Sequence, residues 1–150
     1  ETVPDLDLIL APVGGGGLLS GTALAANSLS PGTLVVGAEP AEADDAARSL
    51  ATGSIQPAVD PPRTLADGLR TSLGELTFAM IRSDVERIVT VPEEAIVEAM
   101  RTIWMRMKLL IEPSAAVPVA ALLGTDLDVT GSRVGVILSG GNVDLDHLPW

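Results

Sequence analysis

Cysteine is absent from this 150-residue sequence, and lysine and histidine occur once each, as Lys108 and His147. Without cysteine the chain can form no disulfide, no thiolate nucleophile and no cysteine-ligated metal site. Aromatic side chains make up only 2% of the residues. The core must therefore be built from Val, Leu, Ile and Ala, a composition typical of a parallel sheet covered by helices.

Positive charge is also scarce, because nine Lys and Arg residues face 20 Asp and Glu residues, which gives a net charge of −11. This balance argues against binding nucleic acid or an anionic membrane surface. No apolar stretch reaches transmembrane length and the N-terminus lacks a signal-peptide pattern, so we expect a cytoplasmic protein. A small phosphorylated ligand stays compatible with the charge, since backbone N–H groups can bind it.

Glycine is abundant at one place, where Gly14–Gly17 follow the apolar run 8–13 and precede a small-residue helical pattern over 18–29. Consecutive glycines cost backbone entropy but leave φ free and place no Cβ between the amides and a ligand. At a helix N-terminus such a loop is a good anion site. We predict a phosphate-binding loop; a flexible turn or artificial linker is less consistent with two closely flanking apolar elements.

The remaining pattern alternates strands and helices, which predicts an α/β fold of one domain with a mostly parallel sheet and helices on both faces. Residues 53–71 are predicted to form a long ordered loop. An apolar stripe on the longest helix, at 3- and 4-residue spacing, is predicted to be core. Its members are Ile96, Met100, Ile103, Trp104, Met107 and Leu110. The predicted strands are 7–12, 34–39, 87–91 and 134–138, and the predicted helices are 18–29, 42–51, 74–83, 92–110 and 114–123.

Three features fall at carboxyl ends of predicted strands, where ligands bind in parallel sheets. The first is the glycine loop. The second is Ser139, whose hydroxyl can meet a ring nitrogen or serve as a turn or helix cap. The third is the segment from Glu39 to Asp45, whose carboxylates suit Mg²⁺ or Ca²⁺ or serve only as negative charge at a helix N-terminus.

A dinucleotide site is the main competing interpretation of the glycine loop. Gly15, Gly17 and Gly21 form a pattern one residue longer than the usual fingerprint, and Glu39 lies where a ribose-binding acid is expected. A Walker A loop is excluded, because no Lys-Ser or Lys-Thr follows the glycines. A hydrolytic triad is disfavoured, since Ser139 is not within a G-x-S-x-G motif.

Five motifs in one order resemble the C-terminal half of the pyridoxal-phosphate (PLP) dependent serine/threonine dehydratases, a family that includes serine racemase. The resemblance runs from about Val3 to Trp150. The motifs are Pro12-Val13-Gly14-Gly15-Gly16-Gly17-Leu18, Ala38-Glu39-Pro40, Ala66-Asp67-Gly68, Met107-Lys108-Leu109-Leu110-Ile111-Glu112-Pro113-Ser114 and Leu138-Ser139-Gly140-Gly141-Asn142.

The resemblance implies the large domain of a tryptophan-synthase-β-like fold (PLP fold type II), incomplete in this chain. It implies that the PLP phosphate is bound by the loop and that Ser139 meets the pyridine nitrogen, with Asp67-Gly68 and Glu112 beside the cofactor. Relatives with a cation site imply that Mg²⁺ or Ca²⁺ binds at three further positions. Relatives that nucleotides regulate imply, less strongly, nucleotide contacts at three others. The phosphate site comprises Gly14, Gly15, Gly16, Gly17 and Leu18; the cation site comprises Glu39, the Ala43 carbonyl and Asp45; the nucleotide positions are Asp7, Lys108 and Asn142.

One departure from the family pattern decides what the chain can do alone. The lysine that forms the Schiff base lies in the family's N-terminal half, in a segment that this sequence lacks. Lys108 falls near the end of a predicted helix, where it compensates the helix dipole. We therefore expect residues 1–150 to be the C-terminal part of the PLP-binding large domain, without the small domain and without a catalytic residue.

The expected parent protein is an L-serine/L-threonine ammonia-lyase that forms a 2-oxo acid and ammonia, with an amino-acid substrate, the missing N-terminal half as a partner and a homo-oligomeric state. The alternatives are a serine racemase, an NAD(P)-binding domain and a non-enzymatic phosphate-binding module.

Overall fold

The computed structural model describes residues 3–124 and 126–150 of the chain. Strands and helices alternate in the predicted order. Within the described residues, no helix has the length and apolar character needed to cross a membrane. The strands are β1 (Leu8–Pro12), β2 (Leu34–Pro40), β3 (Arg87–Val91) and β4 (Val134–Val136), and the helices are α1 (Gly17–Leu29), α2 (Asp45–Thr52), α3 (Glu75–Asp84), α4 (Glu93–Met107) and α5 (Pro113–Leu123), with short 3₁₀ turns at Ala41–Ala43 and Asp67–Leu69.

The four strands form one parallel sheet in the order β3-β2-β1-β4. Leu10 of β1 is paired with Val36 on one side and with Val136 on the other. Because β1 and β4 are neighbours and run in the same direction, the loops that follow them meet at one edge of the sheet. This arrangement brings the glycine loop beside the segment that begins after β4.

Helices cover both faces of the sheet, as predicted. On one face, Ala11, Val13 and Val35 pack with α1 and α3. On the other, Leu10 and Val36 lie beneath α5, and α4 packs outside α5. The sequence of α5 is apolar all round because it is enclosed by the sheet and by α4, and this explains why it shows no polar face.

Helix α4 is shorter than predicted. It ends at Met107, not near Leu110, because Lys108 adopts the left-handed conformation with φ 59° and its Nζ donates to the Met105 carbonyl at 2.6 Å. The turn takes the chain off the helix axis. The core prediction is correct for Ile96, Met100 and Ile103, and Trp104 is half-buried against the same core. It is wrong for Leu110, which lies beyond the helix, and for Met107, which is exposed in the last turn.

The C-terminal segment returns to α4 through an aromatic contact. The ring centroids of Trp104 and Trp150 lie 5.3 Å apart at an interplanar angle of 88°, an edge-to-face arrangement. The Trp104 indole N–H donates to the Ile111 carbonyl at 2.9 Å. The residues that follow β4 are thereby tied to the helical layer.

Candidate active site

A cavity of about 230 Å³ lies at the carboxyl edge of the sheet, where the loops after β1 and β4 meet. Its walls come from four segments that are distant in sequence. It contains the residues predicted to bind PLP directly, Gly14–Leu18 and Ser139, together with Gly68 and Glu112. Asp67, which was also predicted to lie beside the cofactor, does not line it. The lining residues are Pro12, Gly14, Gly15, Gly16, Gly17, Leu18, Gly68, Leu69, Glu112, Ser114 and Ser139.

Backbone donors dominate one wall of this cavity. Within residues 3–124 and 126–150, the amides of Gly14–Leu18 donate to no acceptor of the chain. The last of these residues belong to the first turn of α1, whose N–H groups have no partner within the helix. The helix dipole adds partial positive charge at the same place. The wall is therefore suited to an anion even though the chain is strongly acidic.

The four glycines differ in what the fold requires of them. Gly16 has φ 85°, and a Cβ there would lie 2.8 Å from Leu73; a Cβ on Gly14 would lie 2.9 Å from Thr71 Oγ1. A Cβ on Gly15 would meet only ordinary contacts, and one on Gly17 would meet nothing within 4 Å. Packing and backbone conformation thus account for Gly14 and Gly16, while a Cβ on Gly17, which also lines the cavity, would face open space.

Ser139 enters the cavity from a loop that Glu112 holds. The Glu112 amide donates to the Gly140 carbonyl at 3.1 Å, and its carboxylate Oε2 accepts from the Asn142 amide at 2.6 Å. A Cβ on Gly140 would lie 2.8 Å from this carboxylate, so glycine is needed for the close approach. Glu112 thereby fixes the course of the chain on both sides of Gly140, immediately after Ser139.

The predicted cation residues lie at the end of β2, outside this cavity. Glu39 is 1% exposed, and its two carboxylate oxygens accept from the Ala46 and Ala47 amides at 3.0 and 2.9 Å. Burial raises the pKa of Glu39 to about 8, although these two amides favour its charged form. Burial also raises the pKa of Asp45, whose Oδ2 has no hydrogen-bond partner in the described part of the chain.

The positions of Glu39 and Gly21 argue against the dinucleotide interpretation. The carboxylate of Glu39 is enclosed and bonded to α2, so it is not presented to a ribose. Gly21 is exposed on α1 with nothing within 4 Å of a built Cβ, so it does not permit the close helix–strand packing of the third fingerprint glycine.

The predicted nucleotide positions do not gather at one place within this chain. Asp7 precedes β1, at the amino edge of the sheet, where its carboxylate accepts from the Arg133 amide at 2.7 Å. Asn142 follows β4 at the opposite edge. Lys108 is exposed at the end of α4 and does not line the cavity.

Comparison with known proteins settles the family. Residues 1–140 match the family described as "Pyridoxal-phosphate dependent enzyme". The chain belongs to this family. Such membership indicates PLP, and not a dinucleotide, as the cofactor.

Among the relatives, the β-hydroxyaspartate dehydratase of Paracoccus denitrificans is 49% identical over all of this chain and 47% of its own length. The serine racemase of Dictyostelium discoideum is 48% identical over 99% of this chain and 47% of its length, and its crystal structure superposes with a TM-score of 0.90 over 96% of this chain and 46% of that one. The crystal structure of a T.th. threonine deaminase is 52% identical, with a TM-score of 0.87 over 93% of this chain and 51% of that one.

These similarities confirm the PLP fold type II architecture predicted from the motifs. The chain spans about half the length of the curated relatives it matches. Leu69 lines the cavity without having been predicted to do so, because nothing in the local sequence marks a residue that reaches the site only through the long loop 53–71.

Proposed function

We propose that this chain forms the cofactor-holding part of a PLP-dependent enzyme, with the phosphate of PLP bound by the amides of Gly14–Leu18. The observation that carries the proposal is the row of five backbone donors on the wall of a cavity that have no acceptor among the described residues. Each hydrogen bond from such a donor to a charged acceptor contributes about 1.5–3 kcal/mol. The dipole of α1 adds to them without introducing a side-chain charge.

We propose that the hydroxyl of Ser139 meets the pyridine nitrogen at the other side of the same cavity. When bound, PLP supplies the electron sink that makes the Cα–H of an amino acid acidic. A neutral hydroxyl leaves that nitrogen less positively charged than a carboxylate would, which moderates the sink and suits β-elimination. The Glu112 contacts hold the loop in which this hydroxyl lies.

The proposed reaction of the whole protein is β-elimination from an L-β-hydroxy-α-amino acid such as serine, threonine or 3-hydroxyaspartate. The amino acid loses its α-proton and β-hydroxyl as water, and water then releases ammonia to leave a 2-oxo acid. The dehydratase and deaminase names of similar proteins support this class. Serine racemization is the second candidate, favoured by the relative from Dictyostelium discoideum at 48% identity.

The Schiff-base lysine is proposed to come from an N-terminal half of the same protein. Lys108 does not line the cavity, and its ammonium is engaged with the Met105 carbonyl. The chain also spans only 47% of its β-hydroxyaspartate dehydratase relative. Residues 1–150 alone should consequently show no turnover of any amino acid.

A divalent cation, Mg²⁺ or Ca²⁺, is proposed to bind Glu39, the Ala43 carbonyl and Asp45. The Oδ2 of Asp45, which has no hydrogen-bond partner among the described residues, fits this assignment as a free ligand atom. The bound ion would join the end of β2 to the start of α2. Its role would be structural, since these residues do not line the cavity.

Ligand-dependent melting of the chain tests the cofactor assignment. PLP and inorganic phosphate should each raise the melting temperature, and NADH should not. A shift with NADH alone would refute the proposal, and no shift with any ligand would favour a module that binds none of them. For the reaction, the whole protein is assayed for 2-oxo acids from L-serine, L-threonine and L-threo-3-hydroxyaspartate, and for D-serine by chiral chromatography. Formation of D-serine without a 2-oxo acid would favour the racemase.

A further inference from the structure

The hydroxyl of Thr77 connects helix α3 to the middle of the glycine loop, 62 residues away in sequence. Its Oγ1 lies 2.9 Å from the Gly15 carbonyl and 3.0 Å from the Gly74 carbonyl, and it accepts from the Gly74 amide at 3.1 Å. The Gly74 carbonyl already accepts from the Phe78 amide at 2.9 Å. In the described chain the Gly15 carbonyl has no other donor, so the single hydroxyl proton belongs on Gly15.

This contact determines the orientation of the Gly15–Gly16 peptide. In a trans peptide the C=O and the N–H point in opposite directions. The carbonyl points toward α3, where a Cβ on Gly16 would also meet Leu73 and Ile81. None of the α3-side residues lines the cavity, whereas Gly16 itself does. The N–H of Gly16 is consequently directed to the cavity side.

We propose that Thr77 is a positioning residue, which holds the Gly15–Gly16 peptide so that the Gly16 N–H faces the bound phosphate. Two adjacent glycines present little steric barrier to rotation of the peptide between them. A rotated peptide would turn the carbonyl oxygen toward an anion and repel it. The inference rests on the proposed phosphate site, because it assigns an orientation to one of that site's donors.

The variants Thr77→Val and Thr77→Ser test the proposal in the chain of residues 1–150. Valine keeps the shape of threonine and removes the hydroxyl, whereas serine keeps the hydroxyl. Thr33→Val is the matched control, because Thr33 donates to the Leu6 carbonyl at 2.7 Å near the amino edge of the sheet, away from the cavity. Affinity for inorganic phosphate and for PLP is measured by ³¹P NMR, and stability is measured by urea unfolding.

We expect Thr77→Val to weaken binding of both anions by about 10- to 100-fold, the loss that corresponds to one charge-assisted hydrogen bond. Thr77→Ser should stay within about threefold of the unsubstituted chain, because serine keeps the hydroxyl that donates to the Gly15 carbonyl. Thr33→Val should lose stability without losing affinity. Binding by Thr77→Val at the parent affinity would overturn the inference.

A ligand-free measurement separates this inference from the phosphate assignment. The carbonyl ¹³C shift of Gly15 should move upfield in Thr77→Val, and the Gly16 amide should show relaxation dispersion as the peptide exchanges between orientations. Unchanged signals would overturn the role of Thr77 even if phosphate binds. Failure of the parent chain to bind phosphate or PLP would instead count against the proposed function. If Thr77→Val does not fold, titration of the parent decides, because a Gly16 amide that phosphate does not shift would refute the inference.

Discussion

Two neighbouring strands of the sheet end in opposite kinds of chemistry. After β1, the glycine loop leaves beside a cavity a row of amides that donate to nothing in the part of the chain that the structure describes. After β2, the first amides of α2 are taken up by the carboxylate of Glu39, which is buried beneath them. Both strands lead to a helix N-terminus, yet one presents its donors outward and the other consumes them inside the protein.

The difference teaches that topology alone does not create a binding site. A parallel strand followed by a helix always supplies amides and a dipole at the carboxyl edge. Whether a ligand can use them depends on the intervening residues. Glycines remove side chains from the donors after β1, whereas an acidic residue of the strand itself satisfies the donors after β2.

The largest expected effect comes from the buried Glu39 beneath the first amides of α2, and it appears as a pH dependence of the free energy of unfolding. The folded chain holds the Glu39 proton up to about pH 8, whereas the unfolded chain releases it near pH 4.5. The contribution of this group to the free energy of unfolding is therefore fully present below pH 4.5 and is lost as pH rises to about 8. At about 1.4 kcal/mol per pKa unit, the total loss is at most about 5 kcal/mol. Urea unfolding in EDTA across this range measures it.

Glu39→Gln should abolish this part of the pH dependence. The variant should be less stable than the parent near pH 5, because its NH₂ group faces an amide donor of α2, and the gap should close near pH 9. Glu42→Gln, at an exposed position in the same segment, is the control and should keep the parent slope. If the free energy of unfolding of the unsubstituted chain depended on pH as little as that of Glu39→Gln, the raised pKa of Glu39 would be contradicted.

The next largest effect should come from Gly16→Ala, which tests whether the glycine loop is held in a single conformation. Alanine would occupy a left-handed conformation and press against Leu73, Thr77 and Ile81. Strain and overpacking together should lower the free energy of unfolding by about 4 kcal/mol. Wild-type stability in this variant, measured by urea unfolding, would show that the loop can adopt another conformation.

Gly17→Ala should separate ligand binding from stability. Nothing lies within 4 Å of the added Cβ, and alanine is the better helix former, so stability should stay within about 0.5 kcal/mol or rise slightly. PLP affinity should fall by about tenfold, as if one charge-assisted bond were lengthened or lost. Fluorescence titration with PLP measures it, and unchanged affinity would mean that the phosphate lies elsewhere.

Ser139→Ala should give the smallest change in the chain itself. The side chain is exposed, so stability should change by less than about 0.5 kcal/mol, and PLP affinity should change little because the phosphate amides are intact. In the whole enzyme, kcat for 2-oxo acid formation should fall more than KM changes. An equal loss of PLP affinity in Gly17→Ala and Ser139→Ala would contradict the separate roles proposed for the two walls.

Much of the fold was predictable because its signals are local. Apolar runs bounded by glycine and proline gave the strands, and Pro92 with two following glutamates gave the start of α4. The end of α4 was not predictable in the same way. A lysine in the left-handed conformation at Lys108 has no sequence signature, since glycine or asparagine usually occupies that position.

The candidate site was likewise predictable where the signals are local and not where they depend on tertiary packing. The glycine loop and Ser139 could be assigned to one edge, because strand direction places them there. The contact between Thr77 and Gly15 depends on packing between α1 and α3 across 62 residues. Likewise, burial of Glu39 beneath α2 follows from tertiary packing, which turned a residue of apparent ribose-binding spacing into part of the core.

The edge-to-face contact of Trp104 with Trp150 joins the only two indole fluorophores of the chain. Their emission therefore reports on a single location, the point where the segment that carries Ser139 returns to α4. Displacement of that segment would separate the rings and change the emission without any attached label. In residues 1–150, tryptophan emission thus reports whether the loop after β4 is docked on α4, and a stopped-flow mixing experiment can follow it.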